Sequence, residues 1–166
     1  LGDLIRKVAE FDGNFRIRLS STEPDFKNIG LLDIMADTPK VCRFLHISLQ
    51  HGCDRILKKM NRHYTTDDFR RFVELAREKM PDIHIGTDVI AGFPGETDEL
   101  FTETVDYIRK CSFSFIHIFP YSKRKGTKAA TMSGQILKAV KTQRAQEAAA
   151  LCSTLEKEYL ESQIGR

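Results

Sequence analysis

The feature that most constrains this chain is the alternation of short β-rich runs with longer amphipathic stretches. Four runs are dense in branched and aromatic residues and bounded by breakers: "FRIRLS" (15–20), "FLHISL" (44–49), "IHIGTDVIAG" (83–92) and "FSFIHIF" (113–119). The gaps between them are too wide for hairpins. They carry helical periodicity instead. Phe69, Phe72, Val73, Ala76 and Met80 fall on one apolar face. Thr65 or Thr66, with Asp67 and Asp68, supplies a polar, acidic start, and Pro81 a stop. Leu100, Phe101, Val105, Ile108 and Cys111 form a second stripe. The opening "LGDLIRKVAEF" also reads as helix. A last long helix runs from about Gln135, with Leu137, Val140, Ala148, Leu151 and Leu155 inward. Repeated strand–helix units imply a parallel sheet with right-handed crossovers, either open and doubly wound or part of a barrel.

In both architectures ligand groups gather at the C-terminal ends of the strands. The segments just past each run are "SSTEP" (20–24), "QHGCD" (50–54), "GFPGET" (92–97) and "PYSKRKGT" (120–127). They put Ser20, Ser21, Glu23, Gln50, His51, Asp88, Glu96, Tyr121, Ser122 and Arg124 on one expected rim. Strand-to-helix loops are polar in any case, because exposed backbone must be solvated, so the argument rests on the set and not on any one member. "TDVIAGFPGET" (87–97) fits neither the nucleotide P-loop nor the dinucleotide fingerprint: its glycines are too close and no lysine follows. What remains is a strand end carrying Asp88 and Ile90, a turn tightened by Gly92, Pro94 and Gly95, and a helix beginning near Glu96–Thr97. Glycines there leave room for a flat ligand against the backbone. A tight turn capped by Thr97 accounts for the same residues without a ligand.

Composition sets outer bounds. With 166 residues, 41% hydrophobic and 30% charged, the chain has the size and balance of one globular domain. A net charge of +3 permits a nucleic-acid partner without arguing for one. The basic stretches "LKKMNRHY" (57–64) and Lys123, Arg124, Lys125 with Lys128 suit solvated loops and helix ends as well as phosphates. Cys42, Cys53, Cys111 and Cys152 include no C-x-x-C or C-x-x-x-C, so no zinc or iron–sulfur site is expected from this chain alone. Reduced thiols and a cytoplasmic location are the expectation. His46, His84 and His117 lie within strands and read as satisfied structural histidines. No apolar run approaches the roughly 20 residues of a spanning helix, and no membrane partner is expected. The chain starts without Met, and both ends fall in helix-like sequence, so a piece of a larger protein is expected.

"FLHISLQHGCDRILKKMNRHYT", "GTDVIAGFPGET" and "FPYSKRKGTKAA", in this order and spacing, resemble the radical S-adenosylmethionine methylthiotransferases. The resemblance covers nearly the whole chain. Within the family, "KMNRHYTTDDF" and "FPYSKRKGT" look most like the branch acting on N6-threonylcarbamoyladenosine in tRNA, with the isopentenyladenosine and ribosomal-protein branches as alternatives. The resemblance implies an α/β fold: a partial (βα) TIM-like barrel with about four parallel strands and flanking helices. It implies S-adenosylmethionine and [4Fe–4S] clusters in the parent protein, and tRNA as partner. The parent enzyme would use a reduced cluster to turn S-adenosylmethionine into a radical source that activates C2 of the adenine. The family's C-x-x-x-C-x-x-C is absent here, so the chain itself is expected to carry no cluster and to be inactive. By motif position the resemblance puts Ser20, Ser21, Gln50, Asp88, Ile90 and Gly92 at the S-adenosylmethionine pocket. It puts Tyr121, Lys123, Arg124 and Lys125 towards nucleotide or RNA. The family pattern G-x-I-x-G-x-x-E is met loosely: Asp88 stands at its first glycine and the acid arrives one residue late, at Glu96. A βα module that binds nucleotide or RNA without chemistry is the competing reading. A partial barrel has open sheet edges, so the edges near 15–20 and 113–119 are expected to be covered by helices or by a second copy.

Overall fold

In the computed structural model, which describes residues 1–24 and 29–165, three parallel strands form one sheet. They are β1 (Phe44–Gln50), β2 (His84–Ala91) and β3 (Phe115–Pro120), in the order β1-β2-β3. The helices are α1 (Gly2–Ala9), α2 (Gly30–Asp37), α3 (Asp54–Lys59), α4 (Thr66–Lys79), α5 (Asp98–Cys111), α6 (Lys128–Thr131) and α7 (Lys138–Ser162). Each strand but the last of the sheet is followed by helix and then by a parallel neighbour, as the alternation predicts.

The two faces of the sheet differ. Leu45, Ile47 and Leu49 of β1 and Ile85, Thr87, Val89 and Ala91 of β2 are buried under the helices. Phe44, His46, Ser48 and Gln50 of β1, and His84, Asp88 and Ile90 of β2, lie on the opposite, partly exposed face. One apolar core joins the buried face to Leu57, Phe69, Val73, Ile108 and Phe113, with Phe69 edge-on to Phe113. A smaller cluster of Cys53, Ile56, Phe93 and Leu100 sits beneath the strand-end loops, with Tyr121 and Met132 packed against it.

The helices start where their side chains bond to the backbone. Thr65 caps α4: its hydroxyl accepts from the Asp68 amide, and Asp68 Oδ2 accepts from the Thr65 amide, a reciprocal capping box. Thr97 caps α5 by accepting from the Leu100 amide at 3.4 Å. On α5, Thr104 is buried at the position where periodicity alone points to Val105, because its hydroxyl bonds inward.

Two expectations change. The run 15–20 is not a regular strand. It meets the start and middle of the β1 region only at the isolated parallel bridges Ile17↔Val41 and Thr22↔Ile47. Four residues lie between Ile17 and Thr22 and five between Val41 and Ile47, so no unbroken ladder fits between them. The last helix begins at Lys138, and Leu137 is 76% exposed. Its inward face is Arg144, Ala148, Cys152 and Leu155, one of them charged. The segment 17–22 runs beside β1, and α7 packs against β3. No helix among the described residues is long and apolar enough to cross a membrane.

Candidate functional site

The end of β1 is irregular. Its register with β2 shifts between Ile47 and Gln50. The buried Thr87 hydroxyl fills the gap in the ladder, donating to the Ile47 carbonyl at 2.5 Å and accepting from the Leu49 amide at 3.0 Å. The Tyr64 hydroxyl donates to the carbonyls of Ser48 and Leu49, at 2.6 and 2.9 Å. Burial pushes the Tyr64 phenol up to about 12, so it remains a donor across the working pH range. These contacts let Gln50 leave the strand with φ at +67°. For a non-glycine residue that conformation costs about 1 kcal/mol. It turns the Gln50 side chain onto the rim, where its amide has no hydrogen bond among the described residues.

The end of β2 has an acid on the open face and another beneath it. His46 Nε2 lies 2.9 Å from Asp88 Oδ2, both partly buried. His117 follows in the row, its ring 5.9 Å from that of His46. Glu96 is different: its side chain is fully buried. Both of its oxygens accept from the Gly92 amide, at 3.0 and 3.1 Å. Glu96 also meets His51 Nε2 at 2.8 Å and Arg144 Nη1 at 2.8 Å. His51 Nδ1 accepts from the Cys53 amide at 3.2 Å, so Nε2 is the protonated nitrogen facing Glu96. Burial works against the Arg144 charge, but the carboxylates of Asp98 and Glu96 outweigh it and hold the guanidinium above its ordinary value.

The third wall comes from β3 and the loop after it. Gln50, Asp88, Ile90, Phe119, Tyr121 and Arg124 line a cleft of about 490 Å³ at the strand ends. Tyr121 packs edge-on against Phe93, and Lys141 lies over its ring. The Tyr121 hydroxyl is buried and has no hydrogen-bond partner among the described residues. A buried hydroxyl without a partner costs about 1–3 kcal/mol. An adjoining cavity of about 230 Å³ shares Gln50, Ile90 and Ala129 and adds Lys59, Arg62 and Lys128. Arg62 pairs with Glu23 through one terminal nitrogen, while its Nε is buried without a partner among the described residues.

The rim expected from sequence is thus brought together in part. Gln50, Asp88, Ile90, Tyr121, Ser122 and Arg124 share the cleft. Ser20 and Ser21 line a separate cavity with Arg18, Phe44 and His46, and Ser21 bonds Ser48. Lys123 and Lys125 are exposed beside Arg124. His51 and Glu96 are not rim residues but sit below it. Gly92 and Gly95 do not open space for a ligand. An added Cβ would fall 2.2 Å from Lys141 Cγ at Gly92 and 2.1 Å from Lys59 Nζ at Gly95. Both glycines have positive φ, at +77° and +84°, and that is what the turn requires of them. Arg62, Tyr64, Thr87 and Arg144 were not singled out as site residues by sequence. Thr87 and Arg144 left a signal there, as polar residues at positions whose periodicity points inward.

The profile of the Radical SAM superfamily matches residues 1–108. The chain belongs to the radical SAM superfamily. Two solved structures show the fold that such a radical SAM chain adopts. Coproporphyrinogen III oxidase from Escherichia coli, a radical SAM enzyme, superimposes with a TM-score of 0.72 at 19% identity, over 93% of this chain and 36% of that one. A radical S-adenosylmethionine methyltransferase from Kitasatospora setae gives 0.57 at 22% identity, over 71% and 23%. Among curated relatives, the tRNA-2-methylthio-N(6)-dimethylallyladenosine synthase of Caldicellulosiruptor saccharolyticus is 43% identical over 98% of this chain. That of Acetivibrio thermocellus is 41% identical over 99%. The chain spans about a third of their length, 35% and 34%. Radical SAM membership implies S-adenosylmethionine and an iron–sulfur cluster in the whole protein. Among the described residues no group of His, Cys, Asp and Glu fits a metal ion. The cleft, lined by Gln50 and Asp88 together with Ile90, Phe119 and Tyr121, does fit a polar, partly flat organic ligand.

Proposed function

We propose that this chain forms the later part of the catalytic domain of a tRNA methylthiotransferase and that its strand-end cleft holds S-adenosylmethionine. The observation that carries the reading is the pair of adjoining cavities at the C-terminal ends of the strands. Their chemistry changes along their length in the way that ligand does. Ile90 and Phe119 offer apolar surface to an adenine ring. Asp88, fixed by His46 through one oxygen, keeps the other for a sugar hydroxyl. Gln50 and the Tyr121 hydroxyl add neutral polar contacts. Arg62, which lines the adjoining cavity, suits the carboxylate of the methionine portion. S-adenosylmethionine and a reduced cluster, when bound, supply the radical chemistry that an inert adenine C–H demands; the residues of this chain orient and enclose.

The exposed cations Lys123, Arg124 and Lys125 stand at the outer end of the cleft, where an RNA backbone would approach. The curated relatives, named for N(6)-dimethylallyladenosine, support tRNA adenosine as substrate and the dimethylallyl group as its N6 substituent. The threonylcarbamoyl branch is a second reading, favoured by Arg124: a cation lining the cleft would match the carboxylate of that substituent. Nucleoside mass analysis of tRNA from cells with and without the full-length protein separates them. Loss of the methylthio form of one N6-modified adenosine is expected, and its identity names the branch. An unchanged set of methylthio nucleosides would overturn the proposal.

A further inference from the structure

Arg144 lies on α7, outside the residues matched to the superfamily, yet it reaches the core of the site's most constrained turn. Its Nη1 donates to Glu96 Oε1 at 2.8 Å and to the Glu96 carbonyl at 3.1 Å, and its Nη2 donates to Asp98 Oδ1 at 2.6 Å. The guanidinium therefore grips the backbone and both acids at the start of α5. Glu96 in turn holds the Gly92 amide and His51, which follows Gln50 directly. Three residues before Arg144 on the same helix, the Lys141 stem occupies the space beside Gly92 and its ammonium lies over Tyr121. The loop that leads into α7 is tied to the same turn, since the Gly95 amide donates to the Gly134 carbonyl at 2.8 Å.

We propose that Arg144 is a positioning residue for the cofactor cleft. By fixing Glu96 it holds the left-handed Gly92–Gly95 turn and the His51 segment, and so sets the spacing between Gln50 and Asp88–Ile90 across which the ligand lies. The inference rests on the proposed function. The physical reason is asymmetry. A fully buried carboxylate with Arg144 in place is paired and can anchor a backbone amide. Without Arg144 it keeps only His51 and the Gly92 amide and loses its cationic partner, so the turn it anchors is free to rearrange. A scaffold salt bridge elsewhere would affect stability alone; this one is hydrogen-bonded through Glu96 to His51, the chain neighbour of the cleft residue Gln50, and to Gly92, two residues after the cleft residue Ile90.

The test uses the full-length protein with Arg144→Met and Arg144→Lys. Lysine keeps the charge but cannot bridge Glu96 and Asp98 at once. Three readouts are compared: the dissociation constant of S-adenosylmethionine by equilibrium dialysis, amide hydrogen exchange, and the thermal midpoint. Expected for Arg144→Met is a weakening of S-adenosylmethionine binding by about tenfold, as loss of outer-shell partners gives elsewhere. The Gly92 amide should exchange about tenfold faster while the β2 amides of Ile85 and Val89 keep their protection. Arg144→Lys should show part of both changes in a protein whose thermal midpoint stays close to wild type, which serves if the methionine variant does not fold. A fall in midpoint with unchanged affinity and unchanged Gly92 exchange would reduce Arg144 to a scaffold role and overturn the inference. If the wild-type protein does not bind S-adenosylmethionine, the proposed function fails and this inference with it.

Discussion

Gln50 shows what one residue contributes and how little of it periodicity reveals. Its place at a strand end is plain from "FLHISLQHGC", and so is its polarity. Its left-handed backbone is not, because that depends on Thr87 and Tyr64, distant in sequence, taking over the ladder bonds of β1. Gln50→Gly separates the two properties. It relieves a strained φ, so thermal stability should hold or rise by up to about 1 kcal/mol, while S-adenosylmethionine binding by the full-length protein should weaken for want of the amide. Equal losses in both would show that the conformation is not strained. His51 and Glu96 teach a related lesson. Both look like rim residues in a loop, yet each is buried because the other, with Arg144, satisfies it. A sequence shows polarity but not whether a partner awaits.

At the scale of elements, the helices were the more legible. The apolar stripe from Phe69 to Met80 and the "TTDD" start define α4 closely, since cap and stripe act within one turn of each other. The cap also makes a pH prediction. Hydrogen bonds from the Thr65 backbone and side chain hold the Asp68 carboxyl below its usual range. A depressed folded value means its contribution is fully present above the ordinary aspartate range and is lost as pH falls through the depressed one. Thr65→Ala should therefore cost about 1 kcal/mol near neutral pH, with the gap to wild type narrowing in acid as the bond from the Thr65 hydroxyl to the Asp68 carboxylate is lost, while the bond from the Asp68 amide remains. Denaturant titrations at a series of pH values check this, and a pH-independent gap would contradict it. Strands were less legible where pairing is long-range. "FRIRLS" has strand composition, but the spacing of its two bridges to the β1 region breaks the ladder. For α7, the periodicity marks position 144 as inward but does not say why an arginine stands there: its partners are Glu96 in the turn before α5 and Asp98 at the start of α5.

At the scale of the molecule, the parallel sheet and its strand-end rim follow from the βα alternation, and the superfamily match fits both. The order of the loops was readable; which side chains meet in one cleft and which face another cavity, as Ser20 and Ser21 do, needed the register. The same view predicts a division of labour. On the proposed reading this chain supplies walls of the cofactor cleft, while among its described residues no group of His, Cys, Asp and Glu fits a metal ion. Incubated alone with iron and sulfide under reducing conditions, it should acquire no stoichiometric [4Fe–4S] absorbance, and a full cluster would refute that division. The most direct test of the account is the dissociation constant of S-adenosylmethionine for the full-length, cluster-reconstituted protein, wild type against Asp88→Asn. The carboxamide keeps the shape beside His46 but loses the charge-assisted bond, so affinity should fall about tenfold with the thermal midpoint unchanged. Equal affinity in the two proteins would place the cofactor elsewhere and contradict the assignment of this cleft.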